Sequence, residues 1–561
     1  MASTSSSSSS NPPPAVGNVD GIAQTCWVKF REEAIFALYT PFIVSLASGK
    51  LKVETFRQCV AQDVYFVKPF AKAFELAEAY ADDDEAKHGI NELGKITRKK
   101  LECFVQEWGS DVVKDDATPN PATSKCTDFL LAIASGKIDG IKPFEKTKLS
   151  AYILGAITSC ISLNAYIGKE VRGVLCEHHQ SNHPYKKWIE NYSSDTFQDF
   201  CLQTEEVLDN LSVALTGEEL GIIERLYCQG IKHETEFLLA QPVIEKAVVP
   251  LSGEHNRVMI FSDFDLTCTL VDSCAILAEL TIATAPKSDQ IPIENQFARM
   301  TLSDLRDNWE VIANKYTDGY EQCIEKLLLA TEKAEKLNYE GLRKALEQVS
   351  EFEKEANLRV IESGVLKGLK LEDIREAGEV LKLQDGCMNF FRTIKKKNAD
   401  VYVLSYCWCG YLIRSVFLTG GIDDLKVHAN ELEFDEESLS TGEIMKKMQS
   451  PIDKVEAFDK IILESSGEGN DKKKAVSVYI GDAVGDLLCL LKADVGIVVA
   501  PSPSLISVAR HFGVKFVPLF TGVVKKQMDC VEGSSSTWKG LSGILYKASS
   551  WAEIHAFVIG S

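Results

Sequence analysis

The period of the apolar residues changes once along this chain, near residue 250, and that change constrains the fold more than any other feature. Before it, apolar residues recur at three- and four-residue steps, as in Trp27, Phe30, Ala34, Leu38, Phe42 and Leu46. That spacing marks helices with one buried face. Similar patterns run through 55–80, 86–107, 123–135, 147–172, 184–190, 196–215 and 217–239, so an all-helical domain is expected over 21–240. Pro242, Pro250, Gly253 and the polar Glu254-His255-Asn256 mark a linker over 241–257. Beyond it, Val- and Ile-rich runs at 258–262, 401–405, 475–480, 495–499 and 514–519 alternate with helical sequence. Continuous apolar strands separated by helices predict a doubly wound parallel sheet over 258–561. The first two runs are separated by a charged helical stretch too long for a plain crossover, which predicts a helical cap inserted over about 275–395.

At 561 residues the chain exceeds one ordinary core, as this two-part reading requires. A net charge of −20 argues against nucleic acid or an anionic membrane surface as partner. No 18-residue apolar run stands out, so no membrane span is expected. Sixteen cysteines spread along a long chain suggest reduced thiols rather than a disulfide framework. Residues 1–20, a serine run followed by Asn11-Pro12-Pro13-Pro14, are expected to be disordered. They lack the arginines of a mitochondrial presequence, so the cytoplasm is expected, with a mitochondrial or plastid address in a longer form.

The first apolar run, Val258-Met259-Ile260, leads into Phe261-Ser262-Asp263-Phe264-Asp265-Leu266-Thr267. Carboxylates side by side at a strand end repel one another unless a cation or an incoming group compensates. The C-terminal edge of a parallel sheet is where α/β folds place ligands. Ser405 closes the run Val401-Tyr402-Val403-Leu404, and Lys454 follows Ser450-Pro451-Ile452-Asp453 where a helix begins. Gly481-Asp482-Ala483-Val484-Gly485-Asp486 follows the strand Val478-Tyr479-Ile480. Taken singly, these are ordinary turn residues and a solvated charge. Taken together, the acids, the lysine and the hydroxyl can hold a divalent cation and the phosphate it neutralises. Oxygen ligands favour magnesium over zinc. Cys407-Trp408-Cys409 has no second pair at zinc-site spacing and reads as core or pocket lining.

In this order, Asp263-Phe264-Asp265-Leu266-Thr267, Ser405, Lys454 and Asp482…Asp486 resemble the four motifs of the haloacid-dehalogenase-like phosphatases, over about 258–561. The resemblance implies that Asp263 attacks phosphorus to form an aspartyl-phosphate. Asp265 would protonate the leaving oxygen and later deprotonate water. Ser405 and Lys454 would hold phosphoryl oxygens, and Thr267 would belong to the substrate site. Mg2+ would be held by Asp482, the Asp263 carboxylate and the Asp265 carbonyl, with Asp486 supporting them.

In the helical half, Cys160-Ile161-Ser162-Leu163-Asn164-Ala165-Tyr166-Ile167-Gly168 combines a cysteine with aromatics, as do His183 to Tyr192 and Glu234-Thr235-Glu236-Phe237 with their acids. Such a set is either an apolar pocket with a thiol nucleophile or a core cysteine among core aromatics. Order and spacing resemble the TenA family of helical thiamin-salvage enzymes over roughly 21–240. The resemblance makes Cys160 a nucleophile, Glu234 a proton relay and Tyr192 part of the site, with Asp63 binding an aminopyrimidine. The chain departs from the family at Asn164 and Cys126, where tyrosines are usual, and at Phe66, which stands for a third.

The two resemblances together are similar to plant bifunctional thiamin-salvage proteins. They imply magnesium-dependent hydrolysis of thiamin monophosphate to thiamin and phosphate, with aminopyrimidine hydrolysis in the helical domain. They also imply a homo-oligomer assembled through that domain. The alternative is a phosphatase for another small phosphomonoester, with the helical half a non-catalytic binding or oligomerisation module.

Overall fold

Short runs of buried Val, Ile, Met and Phe become the central strands of the second half, because such runs need protein on both faces. The structure, a computed structural model, describes residues 21–108, 118–138, 148–177, 182–243, 247–253, 257–284, 302–397, 399–465, 475–530 and 538–560. The expectations for residues 1–20 lie outside these. Among the described residues, one compact unit contains 21–34 and 53–241, and the other 35–52 and 242–560.

In the second unit the strands are β1 (Val258–Ser262), β2 (Lys367–Lys370), β3 (Asp400–Leu404), β4 (Lys426–His428), β5 (Glu431–Phe434), β6 (Leu439–Met445), β7 (Val476–Gly481), β8 (Val495–Val499), β9 (Lys515–Pro518) and β10 (Ile544–Ala548). Seven form one sheet in the order β4-β3-β1-β7-β8-β10-β9, with every pairing parallel. The chain winds outward in both directions from β1, which makes the β3-β1-β7 centre a topological switch point. Ser262 is level with Val403 on β3 and Ile480 on β7. The five apolar runs read from the sequence are all strands of this sheet. β4 and β10 escaped that reading because β4 has three residues and β10 carries the exposed Lys547 and is only partly buried.

Fully buried Phe261 stacks on Tyr402 at 5.0 Å and meets Phe458 of the helix Pro451–Ser465 at 4.6 Å, joining sheet to covering helix. The cap leaves the core where Leu270 N donates to Lys382 O (3.1 Å) and Gln384 N to Cys268 O (2.8 Å). It contains the helices Ser273–Thr284, Leu302–Ala330, Tyr339–Ser363 and Leu371–Val380. It is not purely helical: β2 joins β6 and β5 in a small antiparallel sheet. The helix Cys387–Lys396, included in the cap by the sequence reading, packs Phe390 and Phe391 on Trp551 of the core instead.

The segment Ile35–Lys52, helical in pattern, belongs with this unit. Tyr39 donates to Glu553 (2.6 Å), and Phe36 lies edge-on to His555. Residues read as a linker are tied down as well: Leu251 N and Ser252 N donate to the carbonyls of Phe557 and Val558.

The first unit is built from helices whose ends carry their own signals. Asn120 and Ser194 cap helices beginning at Pro121 and Asp195, and Thr216 with Glu219 forms a reciprocal capping box. The helix Lys148–Cys176 is more apolar than the sequence reading allowed, with a mean hydropathy of 1.4 that would suffice for a membrane span by length and composition. Because 83% of its apolar window is buried among the other helices, it is the core helix of this unit.

Phe261→Ala should destabilise the second unit by about 3–5 kcal/mol, through lost burial and the cavity left between Tyr402 and Phe458. Urea unfolding followed by tryptophan fluorescence checks this, and an unchanged midpoint would contradict the packing role.

Candidate active sites

Each acidic motif of the second unit follows directly on a buried strand, so the sheet delivers its residues to one edge. Asp263 follows β1 and donates its N–H to Ile480 O of β7 (2.9 Å). Asp482 follows β7, and Ser405 follows β3. Lys454 lies in the first turn of the helix Pro451–Ser465, where its N–H bonds Ser450 O (3.0 Å). Its ammonium, 1% exposed, donates to Asp263 Oδ1 (2.9 Å) and Asp486 Oδ1 (2.8 Å) and lies 4.3 Å from the centre of the Tyr406 ring.

The remaining contacts sort the acids by what they are free to do. Asp486 accepts from Lys454, from the Tyr479 hydroxyl (2.8 Å) and from the N–H groups of Asp482 (3.3 Å) and Ala483 (3.1 Å). Four acceptances fill a carboxylate, so Asp486 holds the cluster in place. Thr267, expected at the substrate, is fully buried and donates to Asp482 Oδ1 (2.7 Å), so it orients that carboxylate. Asp265 accepts from Ser273 N (2.6 Å) and, more loosely, from the Ser405 hydroxyl (3.4 Å). The turn after it puts Leu266 at φ +57°, a left-handed conformation costing an L-residue roughly 1–2 kcal/mol. Leu266 N closes the turn on Thr269 Oγ1 (3.0 Å).

Carboxylate oxygens of Asp263, Asp482 and Asp486 lie within 4.8 Å of one another, with Lys454 as the cation among them. Burial, and then the charge of Asp486, pushes Asp263 up to about 7 against the opposing pull of Lys454. Burial followed by Asp272 and Asp263 raises Asp265 to about 8, and burial followed by Asp263 and Asp486 raises Asp482 to about 8. Buried carboxylates this close favour a hard cation with oxygen ligands, and the donor set suits magnesium.

A second site lies in the helical unit. Two glycines let its helices approach. A Cβ on Gly230 would meet Ser159 Oγ at 2.0 Å, and one on Gly168 would meet the Tyr192 backbone at 2.7 Å. The close approaches bring Asp63, Cys160, Asn164, Tyr192 and Glu234 around a cavity of about 150 Å³, with Phe66, Phe70, Phe197 and Phe200 in its wall. All four residues expected in this site line it. Asn164 donates to Glu234 Oε1 (3.2 Å) and to Cys160 O (3.0 Å). Cys126 is buried beside the site without lining the cavity. Burial raises Asp63, Glu234 and the Tyr192 phenol, and burial with the charge of Glu234 raises the Cys160 thiol.

Sequence reasoning missed Tyr479, Tyr406 and Thr97. Tyr479 is the polar-tipped side chain of a buried strand, and Tyr406 directly follows Ser405, so both had a local signal. Thr97 has a buried hydroxyl without a hydrogen-bond partner in the cavity wall. Its helix pattern holds no hint of that.

Residues 33–243 match the TENA/THI-4/PQQC family. The chain is 56% identical over 550 residues to the Bifunctional TH2 protein, mitochondrial, of Arabidopsis thaliana, covering 95% of this chain and 88% of that relative. It is 25% identical over 204 residues to the aminopyrimidine aminohydrolase of Bacillus subtilis, covering 35% of this chain and 79% of the relative. A solved phosphoserine phosphatase with a phospho-aspartyl intermediate analogue is 15% identical, with a TM-score of 0.30, covering 54% of this chain and 99% of that one. The fold class is a TenA-like helical unit and a doubly wound parallel-sheet unit with an inserted cap.

Gly168→Ala should destabilise the helical unit by about 1–3 kcal/mol, because the added methyl meets backbone rather than a movable side chain. Thermal unfolding of the full chain reads this, and an unshifted transition would remove the close-approach argument.

Proposed function

Because this chain belongs to the bifunctional TH2 family of plants, we propose that its second unit hydrolyses thiamin monophosphate to thiamin and phosphate. The chain is a hydrolase, and one observation supports this chemistry above the others. Lys454 clamps Asp263 beside Asp482 and Asp486 at the level ends of neighbouring parallel strands.

In this reading an oxygen of Asp263 attacks phosphorus, and the bond from phosphorus to the thiamin oxygen breaks. Asp265, held protonated at neutral pH by burial and nearby charge, gives its proton to that leaving oxygen. It then takes a proton from water, whose oxygen displaces phosphate from Asp263 and restores the carboxylate. Lys454 and the Ser405 hydroxyl hold phosphoryl oxygens, and Thr267 and Tyr479 keep Asp482 and Asp486 in place. Magnesium held by Asp263, Asp482 and the Asp265 carbonyl, with Asp486 behind them, would neutralise charge on the phosphoryl group.

The helical unit hydrolyses aminopyrimidine breakdown products of thiamin in the same proposal. The cavity supports it, because these residues line one space: in this reading Asp63 binds the ring amine, Cys160 attacks the substrate as ammonia departs with a proton from Glu234, and water then releases the product from the thiol. Asn164 already donates to Glu234, so one acceptor position of the relay is taken, and slow turnover is expected here. A homo-oligomer through this unit belongs to the same reading, and light scattering tests it. The cytoplasm, or the mitochondrion or plastid in a longer form, is the proposed location; the Arabidopsis relative's designation as mitochondrial supports the organellar form.

Phosphate release from thiamin monophosphate should vanish in Asp263→Asn and on chelation with EDTA, and return with added magnesium. Asp265→Asn should lower kcat about 10²–10⁴-fold. Wild-type turnover in a folded Asp263→Asn protein, with deamidation excluded, would remove the nucleophile assignment. In the helical unit, Cys160→Ala should abolish ammonia release from aminopyrimidines while calorimetry still detects binding. Unchanged release would transfer that activity elsewhere.

A further inference from the structure

The cap lays a group of aromatic rings beside the catalytic carboxylates. Tyr316 and Tyr320 project from the helix Leu302–Ala330, and Phe352 and Glu353 from the helix Tyr339–Ser363. Tyr316 stacks on Tyr320 at 5.8 Å, and Phe352 lies 5.6 and 6.1 Å from the two. Gly319 makes the approach possible, since a Cβ there would meet the Phe352 ring at 2.7 Å. The Tyr316 hydroxyl donates to Glu353 Oε1 (2.9 Å), fixing the carboxylate at the end of the ring stack.

Plain helix packing does not account for this group. Tyr316 is 39% exposed, and neither Tyr320 nor Glu353 is closed off from solvent. The group faces the chemistry: Tyr320 packs against the core cluster that contains Tyr479, Val484 and Leu487, at the strand end that carries Asp482 and Asp486, whose charges it feels, while Tyr316 and Glu353 feel that of Asp272. Asp272 accepts from Cys274 N (2.7 Å) at the start of the helix Ser273–Thr284. Its carboxylate also lies within 4.8 Å of that of Asp265. The loop after Ser405 carries Tyr406, and Trp408 donates to Asn357 Oδ1 of the cap (2.9 Å).

We propose that Tyr316, Tyr320, Phe352 and Glu353, with Asp272 opposite, form the leaving-group subsite and select phosphomonoesters whose alcohol portion is a flat organic cation. Ring faces and a carboxylate attract a delocalised cation that water solvates weakly. A neutral alcohol gains only the stacking. A second phosphate or carboxylate on the substrate would be repelled by Glu353 and Asp272. The positive thiazolium of thiamin monophosphate belongs to the favoured class. The inference rests on the phosphatase reading and adds the residues that choose the substrate.

The test compares thiamin monophosphate with 4-nitrophenyl phosphate, whose leaving group is flat but uncharged, using wild type, Glu353→Gln, Glu353→Asp and Tyr316→Phe. Glu353→Gln should raise KM for thiamin monophosphate about tenfold or more, while kcat and KM for 4-nitrophenyl phosphate stay within about twofold. That unchanged second activity shows the variant is folded. Glu353→Asp should recover part of the loss, and Tyr316→Phe, which keeps the ring but releases Glu353, should fall between. Equal losses on both esters, or an unchanged KM for thiamin monophosphate, would overturn the subsite and leave the phosphatase standing. Wild type active on 4-nitrophenyl phosphate alone would do the same. Wild type inactive on both esters would overturn the phosphatase reading, and the subsite with it.

Discussion

A single buried ammonium organises the second unit. Lys454 is 1% exposed, and burying an unpaired lysine costs several kcal/mol; it is tolerated because Asp263 and Asp486 both receive it. Removing one partner of such a buried pair typically costs about 3–5 kcal/mol, so the three groups are mutually dependent. The helix that carries Lys454 is anchored one turn later by Phe458, packed on Phe261 of β1. The strand that ends in Asp263 and the helix that presents Lys454 are therefore aligned by one aromatic contact. The negative charge left over makes the centre receptive to a metal cation and, with it, a phosphate.

That arrangement draws on residues spread from Asp263 to Asp486, and parallel winding is what gathers them. β3 and β7 flank β1, and the register sets the three strand ends level. The chain leaves β1 for the cap immediately past Asp263 and Asp265, at Cys268–Leu270, and returns at 382–384. The strand-end acids with their lysine and the cap rings thus have separate origins. Sheet edge and helix start supply the first, and cap helices the second. A cap can vary in its rings and charges while the sheet edge keeps its chemistry.

The helical unit reaches its site by a different physical route. Side chains there are assembled by close helix approach, at Gly230 and Gly168, around the long apolar helix that carries Cys160. A buried thiol and buried acids are all pushed toward their neutral forms by burial. Such a pocket suits proton relay between neutral partners. Asn164, in place of a phenol, adds an amide donor to Glu234 and removes aromatic surface.

The acidic and hydroxyl strand ends were legible because their signal is local: an apolar run followed at once by Asp263, Ser405 or Asp482. The cavity residues of the helical unit were legible through a short spacing, a cysteine eight residues before a glycine that must be small. The partner of Thr267 was not legible, because its hydroxyl could face substrate or Asp482, and only the turn after β1 brings it to Asp482. The segment 35–52 continues a helical pattern, yet Phe36 and Tyr39 find their partners, His555 and Glu553, at the far end of the chain. Period, run length and turn chemistry determined the two-part organisation, the strands that carry chemistry and the identity of the acids. Tertiary structure alone decided that Lys454 joins Asp263 to Asp486, that Asp486 has no acceptor capacity to spare, and that the cap rings Tyr316, Tyr320 and Phe352 meet one another. The reason is physical. Periodicity reports which face of an element is buried, whereas hydrogen-bond partners and field strength depend on what the rest of the chain brings to that face.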